Sequence, residues 1–333
     1  LLGFSDCRVC DLDLSQYRGD YLQWLADNHH GNMHWLETNK NLRLSPQQLV
    51  ADSLRCLSLS YPYWQGGFDA WDNIEDSSRA YVSRYALGRD YHKKLRKKLA
   101  KLGNFIKQLT EDTLQFRPFV DSAPLLEKPL AAKAGIGWVG KNTLVLNKQG
   151  SYFFLGEILL NLPLPIDKPM TNECGKCKAC LKVCPTDAFV NPYKLNANKC
   201  ISYLTIEHHG TIDIQFRKAM GNRIFGCDDC QLICPWNRYA KHSEDPDFKP
   251  RHNLDNSSII DLFLWSEQQF DHNTKGSPIR RVGYHRWLRN VSIALGNGPK
   301  DLRAISSLQY RLKQFENDAV LTEHFAWALE QLQ

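Results

Sequence analysis

No run in this 333-residue sequence approaches the about eighteen consecutive apolar residues that a membrane-crossing helix requires, which excludes a helical span. No signal peptide and no twin-arginine leader is visible. The chain does open at Leu1-Leu2-Gly3 without a methionine, as it would after an N-terminal trim that removed an export signal. An extreme of charge is lacking as well: 42 Lys and Arg face 36 Asp and Glu, for a net +6, with 43% hydrophobic and 23% charged residues. Those values describe an ordinary globular protein of two or three domains with ample core. A phosphate-binding loop is missing too. Gly135-Ile-Gly-Trp-Val-Gly140 matches G-x-G-x-x-G and Lys141 follows, but Asn142 stands where magnesium ligation needs Ser or Thr. The preceding Leu125–Ala134 reads as a helix rather than a strand, so the strand–loop–helix context fails. These glycines are expected instead where backbone approaches a flat or bulky ligand closely.

Cysteine is abundant by contrast. Eight of the eleven fall between Cys174 and Cys234. The first block is Cys174-x2-Cys177-x2-Cys180-x3-Cys184-Pro185; the second is Cys200 followed by Cys227-x2-Cys230-x3-Cys234-Pro235. Three thiolates at x2 spacing wrap one 4Fe–4S cluster in a short loop, and the cysteine before proline reaches the other cluster. The expected sets are Cys174, Cys177, Cys180 and Cys234 for one cluster, and Cys184, Cys200, Cys227 and Cys230 for the second. Two zinc ions could also use eight thiolates, but this run is uncommon in zinc ribbons, and disulfides between cysteines this close would be strained. Thiolate clusters without an export signal predict a reducing, cytoplasmic setting. Cys7-x2-Cys10 lacks a second pair and reads as surface or core thiols, and Cys56 as a small core residue.

The chain reads as a multidomain α+β protein. Residues 1–165 mix strand-like runs (Leu54–Tyr61, Thr143–Asn147, Tyr152–Leu160) with a helical stretch from Arg79 to about Leu109, an α/β or α+β pattern. Three prolines in Asn161-Leu-Pro-Leu-Pro165 through Lys168-Pro169 mark a linker into a ferredoxin-like domain, residues 166–240. Residues 241–333 read as helices over Ile259–Phe270, Arg281–Leu295, Lys300–Gln314 and Asn317–Leu332, paired as in HEAT-like repeats.

Five further motifs carry a resemblance. Ser83-Arg-Tyr-Ala-x-Gly-x-Asp-Tyr-His92, Val120-Asp121-Ser122-x-Pro124-x-x-Glu127 and Ala134-Gly-Ile-Gly-Trp-Val-Gly-Lys-Asn-Thr143 precede the cysteine blocks. Ser277-Pro-Ile-Arg-Arg281 and Arg286-Trp-Leu-Arg-Asn-Val-x-Ile-Ala-Leu-Gly296 follow them. Over nearly its whole length the sequence resembles the epoxyqueuosine reductases. The resemblance implies a monomeric, cobalamin-dependent oxidoreductase with two 4Fe–4S clusters, fed by an external low-potential donor of flavodoxin or ferredoxin type. Its substrate would be tRNA for Asp, Asn, His or Tyr carrying epoxyqueuosine at the wobble position. Its product would be queuosine, the last step of that modification, formed through cob(I)alamin with the epoxide oxygen leaving as water. Base-off cobalamin is implied, and no Asp-x-His-x-x-Gly segment is present: Asp27-Asn-His-His-Gly31 and Asp90-Tyr-His92 both fail that pattern.

On that reading Asp121 is the expected general acid. Its apolar sequence neighbours, Phe119, Val120, Pro124, Leu125 and Leu126, predict a buried carboxyl with a raised pKa. The local alternative is a helix N-cap formed by Asp121-Ser122. Arg84, Tyr85, His92, Gly137, Lys141 and Asn142 are the expected cofactor contacts. Six cations within His92–Lys101 form one basic helix face, and Arg280, Arg281, Arg286 and Arg289 form a second basic group expected to hold tRNA phosphates. A solvated helix face is the plainer reading of such charge runs. Two other functions share parts of this pattern: a reductive dehalogenase, which pairs cobalamin with two clusters but would carry an export leader, and a ferredoxin-like carrier, which would leave the flanking domains unexplained.

Overall fold

The computed structural model describes residues 2–66, 70–110 and 114–333. Strands β1 (Asp6–Cys10), β2 (Arg55–Pro62), β3 (Tyr81–Val82), β4 (Phe116–Phe119), β5 (Trp138–Val139), β6 (Val145–Leu146) and β7 (Phe153–Leu160) precede the cysteine blocks. Strands β8 (Phe189–Asn191), β9 (Lys194–Leu195) and β10 (Arg223–Phe225) lie among them. Four of these strands form the main sheet in the order β1-β2-β7-β4, with every neighbouring pair antiparallel. The N-terminal part is therefore α+β in character, not α/β.

Period-two alternation on β2 and β7 explains why both strands are buried almost throughout: each face has its own cover. Leu57, Leu59, Ile158 and Leu160 meet Leu95 and Leu99 of the helix Tyr91–Leu109. Cys10, Cys56, Leu159 and Phe119 meet Leu130 and Ala134 of the helix Glu127–Ala134. Cys10 is the register partner of Cys56, and Cys7, three residues earlier, is exposed. Positions three apart on a strand face opposite ways, so Cys7 and Cys10 form no ligand pair.

The helix expected from Arg79 starts only at Tyr91. Asp90 caps it, its carboxylate accepting from the His92 amide, and β3 with a turn at Arg84–Ala86 occupies the segment before. The proline-rich linker lies along the sheet edge. Asp167 donates its amide to the Val9 carbonyl at 2.9 Å and takes the Val9 amide on Oδ2 at 2.8 Å. This strap explains Gly135, whose φ of 88° is left-handed and where an added Cβ would stand 2.3 Å from the Lys168 carbonyl oxygen. Gly137 is crowded by the chain as well: its Cβ would lie 2.1 Å from the Leu146 oxygen across the β5–β6 hairpin. The expected ligand approach at Gly137 is thus replaced by a hairpin closing on itself.

The C-terminal helices are Ile259–Phe263, Glu267–Asn273, Gly283–Asn297, Leu302–Gln314 and Ala319–Leu332. The stretch expected as one helix over Ile259–Phe270 is broken because Ser266 and Gln269 form a capping box that starts a new helix. Trp287, Val291 and Phe325 of these helices share one hydrophobic core with Ala80, Val82 of β3, Ile201 and Leu204 beside Cys200, and Ile224 and Phe225 of β10. Among the described residues no helix is long and apolar enough to cross a membrane.

Candidate active site and cluster loops

Between the first turn of the helix Tyr91–Leu109 and the loop after β4, two side chains converge on Asp121. Tyr91 Oη donates to Asp121 Oδ2 at 2.8 Å, His92 Nε2 lies 3.1 Å from the same oxygen, and His92 Nδ1 lies 2.6 Å from Asp90 Oδ1. Asp121 itself adopts a left-handed φ of 56°. Its neighbours Val120 and Leu125 go into the core, while the Asp121 side chain turns outward and stays 54% exposed.

The electrostatics differ from the sequence expectation. Desolvation works against the Asp121 carboxylate, but the hydrogen bonds from His92 and Tyr91, with the charges of His92 and Arg281, outweigh it and lower its pKa. His92 responds in kind. Desolvation opposes its charge, yet the bonds to Asp121 and Asp90 raise its pKa to about 9. Near neutral pH the proton therefore resides on His92 and the anion on Asp121, correcting the expected raised pKa at Asp121. The N-cap alternative fails too, because the cap of the helix Glu127–Ala134 is Leu126.

Asp121 stands where two cavities meet. The outer one, about 350 Å³, is lined by Tyr85, Tyr91, His92, Asp121, Arg280 and Arg281. The inner one, about 260 Å³, adds Tyr63, Glu127, Lys128, Phe154 and Gln231 to Tyr85, Tyr91 and Asp121. Lys128 feels the charges of Cys230 and Cys200, so the inner cavity borders the second cysteine set. Among the described residues no histidine lines that cavity. A corrin seated there would meet aromatic walls and no imidazole from the described residues, so these residues fit a corrinoid held without a histidine ligand on cobalt.

The cysteine loops fit clusters equally well. Cys174, Cys177, Cys180 and Cys234 line one small cavity together, joining cysteines from both blocks as expected. Cys230 lies within the electrostatic reach of Cys200 and Cys184. All of the cysteines are free thiols. Lys141 and Asn142, at the tip of the β5–β6 hairpin, reach these loops and not the Asp121 cavities. Lys141 Nζ donates to the Gly175 and Cys177 carbonyls at 2.6 and 2.7 Å, and Asn142 Nδ2 to the Cys230 carbonyl at 3.0 Å.

Arg84 takes a different place from that expected. Its guanidinium sits 5.6 Å above the Trp64 ring, lining a neighbouring cavity, and its amide donates to buried Asp228 at 2.7 Å. Asp228, between Cys227 and Cys230, also accepts from Ser83 Oγ and Tyr81 Oη. The Ser83-Arg84 motif thereby anchors the second cysteine loop. The four arginines expected on tRNA divide as well. Arg280 and Arg281 are exposed at the outer cavity, Arg281 in a 2.6 Å ion pair with Glu207. Arg286 is half-buried and bonds the Val282, Ile206 and Arg281 carbonyls. Arg289 is 0% exposed and donates to the Leu204, His208 and Gly210 carbonyls and to Asn290 Oδ1. A guanidinium so enclosed is a structural staple, and it cannot make the tRNA contact expected of Arg289. On the basic helix, Lys94 is likewise engaged, with Asp245 and Asp247, while Lys93, Lys97 and Lys101 face solvent.

Sequence reasoning missed Tyr91, Lys128 and Asp228 as site residues. Asp90-Tyr91-His92 carried a signal: an Asp before a helical run places the next two residues in the first turn, beside any anion docked at that end.

The family model for the 4Fe–4S double cluster binding domain matches residues 173–237, and that for Epoxyqueuosine reductase QueG, DUF1730, matches residues 43–122. An epoxyqueuosine reductase of Pseudomonas aeruginosa is 49% identical over 330 residues, 98% of this chain and 91% of the relative. That of Escherichia coli is 49% identical over 331 residues, 99% and 86% of the two chains. Among solved structures, an epoxyqueuosine reductase with a tRNA-Tyr epoxyqueuosine-modified stem loop superposes with a TM-score of 0.89 at 28% identity, covering 99% of this chain and 87% of that one. The epoxyqueuosine reductase of Streptococcus thermophilus gives 0.86 at 27% identity over 99% and 87%. With near-complete coverage at this identity, Cys174, Cys177, Cys180 and Cys234 gathered on one cavity and an acid–histidine pair at a basic cavity, the chain belongs to the epoxyqueuosine reductase family.

Proposed function

We infer that this chain is the oxidoreductase that converts epoxyqueuosine to queuosine in tRNA. The observation that carries this reading is the position of Asp121, shared by an outer cavity edged with Arg280 and Arg281 and an inner cavity bordering the second cysteine set. The outer cavity suits an anionic polynucleotide whose modified base has left the anticodon stack. The inner cavity suits base-off cobalamin, and Cys174, Cys177, Cys180 and Cys234, with Cys184, Cys200, Cys227 and Cys230, are the proposed cluster ligands. When bound, these groups would supply single low-potential electrons and a strongly nucleophilic cobalt centre for cleaving the C–O bond.

The chain's own residues then handle protons. Removing the epoxide oxygen as water consumes two electrons and two protons and leaves an alkene. Protonated His92, hydrogen-bonded to Asp121, holds one proton at Oδ2, where the opening epoxide oxygen would accept it. Tyr91 donates to the same carboxylate oxygen, so that oxygen is oriented before substrate arrives. Tyr85, common to both cavities, is the proposed wall between base and cofactor.

We assign residues 1–165 to the cobalamin-binding part, 166–240 to the cluster part and 241–333 to a HEAT-like helical part that holds tRNA. A monomer in the reducing cytoplasm, served by an external low-potential donor, completes the proposal. Anaerobic turnover with epoxyqueuosine-containing tRNA, read as queuosine by nucleoside mass spectrometry, tests it. Cluster-loaded, cobalamin-loaded enzyme that forms no queuosine would overturn it.

A further inference from the structure

Behind Asp121 lies a second pair of acids that the proton chemistry above does not use. Glu127 opens the helix Glu127–Ala134, and its Oε1 accepts the Asp121 amide at 2.5 Å. Glu157, in the middle of β7, is 0% exposed; Ser58, its register partner on β2, donates Oγ to its Oε1 at 3.2 Å. The two carboxyl groups are close enough for the charge of Glu127 to act on Glu157. Glu157 Oε2 meets no protein N–H or O–H among the described residues, so a proton carried between it and Glu127 satisfies it. Two carboxylates enclosed together cannot both be charged, which requires that proton on general grounds.

We propose that Glu127, backed by a proton shared with Glu157, is the latch that holds the Asp121 loop in its working position. Glu127 is thus a positioning residue that acts through Asp121, and this assignment rests on the reading of Asp121 given above. The latch has something to restrain. Asp121 sits at φ 56°, a conformation that is unfavourable for a non-glycine residue and persists only when its surroundings impose it. A charged acceptor on its amide is such a constraint, because a hydrogen bond to an ionised group is stronger than a neutral one. Burial and the charge of Asp121 push Glu127 up to about 7, and burial with the charge of Glu127 holds Glu157 well above the carboxylate range, in keeping with one proton between them near neutral pH.

Hydrogen exchange at the Asp121 amide, followed in the cluster- and cobalamin-loaded enzyme without substrate, tests the latch independently of turnover. Glu127→Ala is expected to lose about ten- to a hundredfold of that protection, the range set by one hydrogen bond to a charged group. Its kcat should fall by a similar factor with KM for tRNA unchanged, because Arg280 and Arg281 are untouched. Glu127→Gln keeps an acceptor oxygen and should recover most of both. Should Glu127→Ala fail to fold, Glu157 provides the second route. Glu157→Gln still donates to Glu127 and should keep protection and kcat within about threefold, whereas Glu157→Leu should lose both. Unchanged exchange at Asp121 in Glu127→Ala, or in Glu157→Leu, overturns the latch. If the exchange results hold but Asp121→Asn remains fully active, the latch stands as loop architecture and the catalytic reading of Asp121 falls.

Discussion

His92 Nε2 stands 3.1 Å from Asp121 Oδ2 while its Nδ1 stands 2.6 Å from Asp90 Oδ1, so a single imidazole bridges two carboxylates. Only the imidazolium donates from both nitrogens, which is why the geometry and the raised His92 pKa agree. On the proposed reading the proton source is the pair rather than either member alone.

Asp121→Asn should therefore lower turnover by about a hundred- to ten-thousandfold, the usual contribution of general acid catalysis. Iron, sulfide and cobalamin contents should stay at wild-type levels. Anaerobic single-turnover assays with metal analysis on the same samples check this, and full activity would remove Asp121 from the chemistry.

A pH profile should carry His92's signature. Its pKa is raised from 6.5 to about 9, so the ion pair's stabilisation is complete below pH 6.5 and is lost as pH climbs through about 9. The lowered Asp121 pKa works in the opposite direction: its contribution is present above the ordinary carboxylate value and is lost as pH falls through the depressed one. Turnover is expected to decline on an alkaline limb near pH 9, and His92→Gln should abolish that limb together with most of the rate. A limb that persists in His92→Gln belongs to another group.

The arginines should separate by readout. Arg280→Ala with Arg281→Ala should raise KM for tRNA and flatten its salt dependence, by about 0.7–0.9 in logarithmic slope for each phosphate no longer neutralised. Arg289→Met should leave KM alone and lower Tm, because each carbonyl stranded in the interior costs about 1–3 kcal/mol. Thermal melts beside salt-titrated binding distinguish the two outcomes.

Gly137→Ala should destabilise the β5–β6 hairpin by about 1–3 kcal/mol, as overpacking does elsewhere, since the new methyl would stand 2.1 Å from the Leu146 oxygen. The hairpin tip carries Lys141 and Asn142, so iron retention should fall as well. Denaturant melts and iron analysis measure both. A stable, iron-replete variant would mean that the hairpin opens freely.

The meeting of Cys174, Cys177, Cys180 and Cys234 around one cavity was legible because cluster ligation is written as short, fixed spacings. Strands β2 and β7 were legible for a similar reason, their apolar runs being bounded by turn residues, whereas β1 and β4 were not read as strands. The charge state of Asp121 was not. It depends on a left-handed backbone at one position and on a helix terminus about thirty residues away, and adjacent apolar residues say nothing of either. Arg289 was misread because a basic cluster in sequence does not reveal which guanidinium faces inward. In sequence Glu157 is one polar residue within the apolar run Tyr152–Leu160, and only its register opposite Ser58 and its nearness to Glu127 give it meaning.

The shared core beneath the C-terminal helices has a mechanical consequence. Trp287 and Phe325 pack into the same interior as Ile201 and Phe225, and Arg289 ties the carbonyls just after the Cys200 helix to the Gly283–Asn297 helix. The surface that would grip RNA and the loops that would hold iron thus form one stiff body. A truncation before residue 283 would expose the flank of the redox centre to water and oxygen, so a separately expressed cluster segment should lose its metal even with every ligand present.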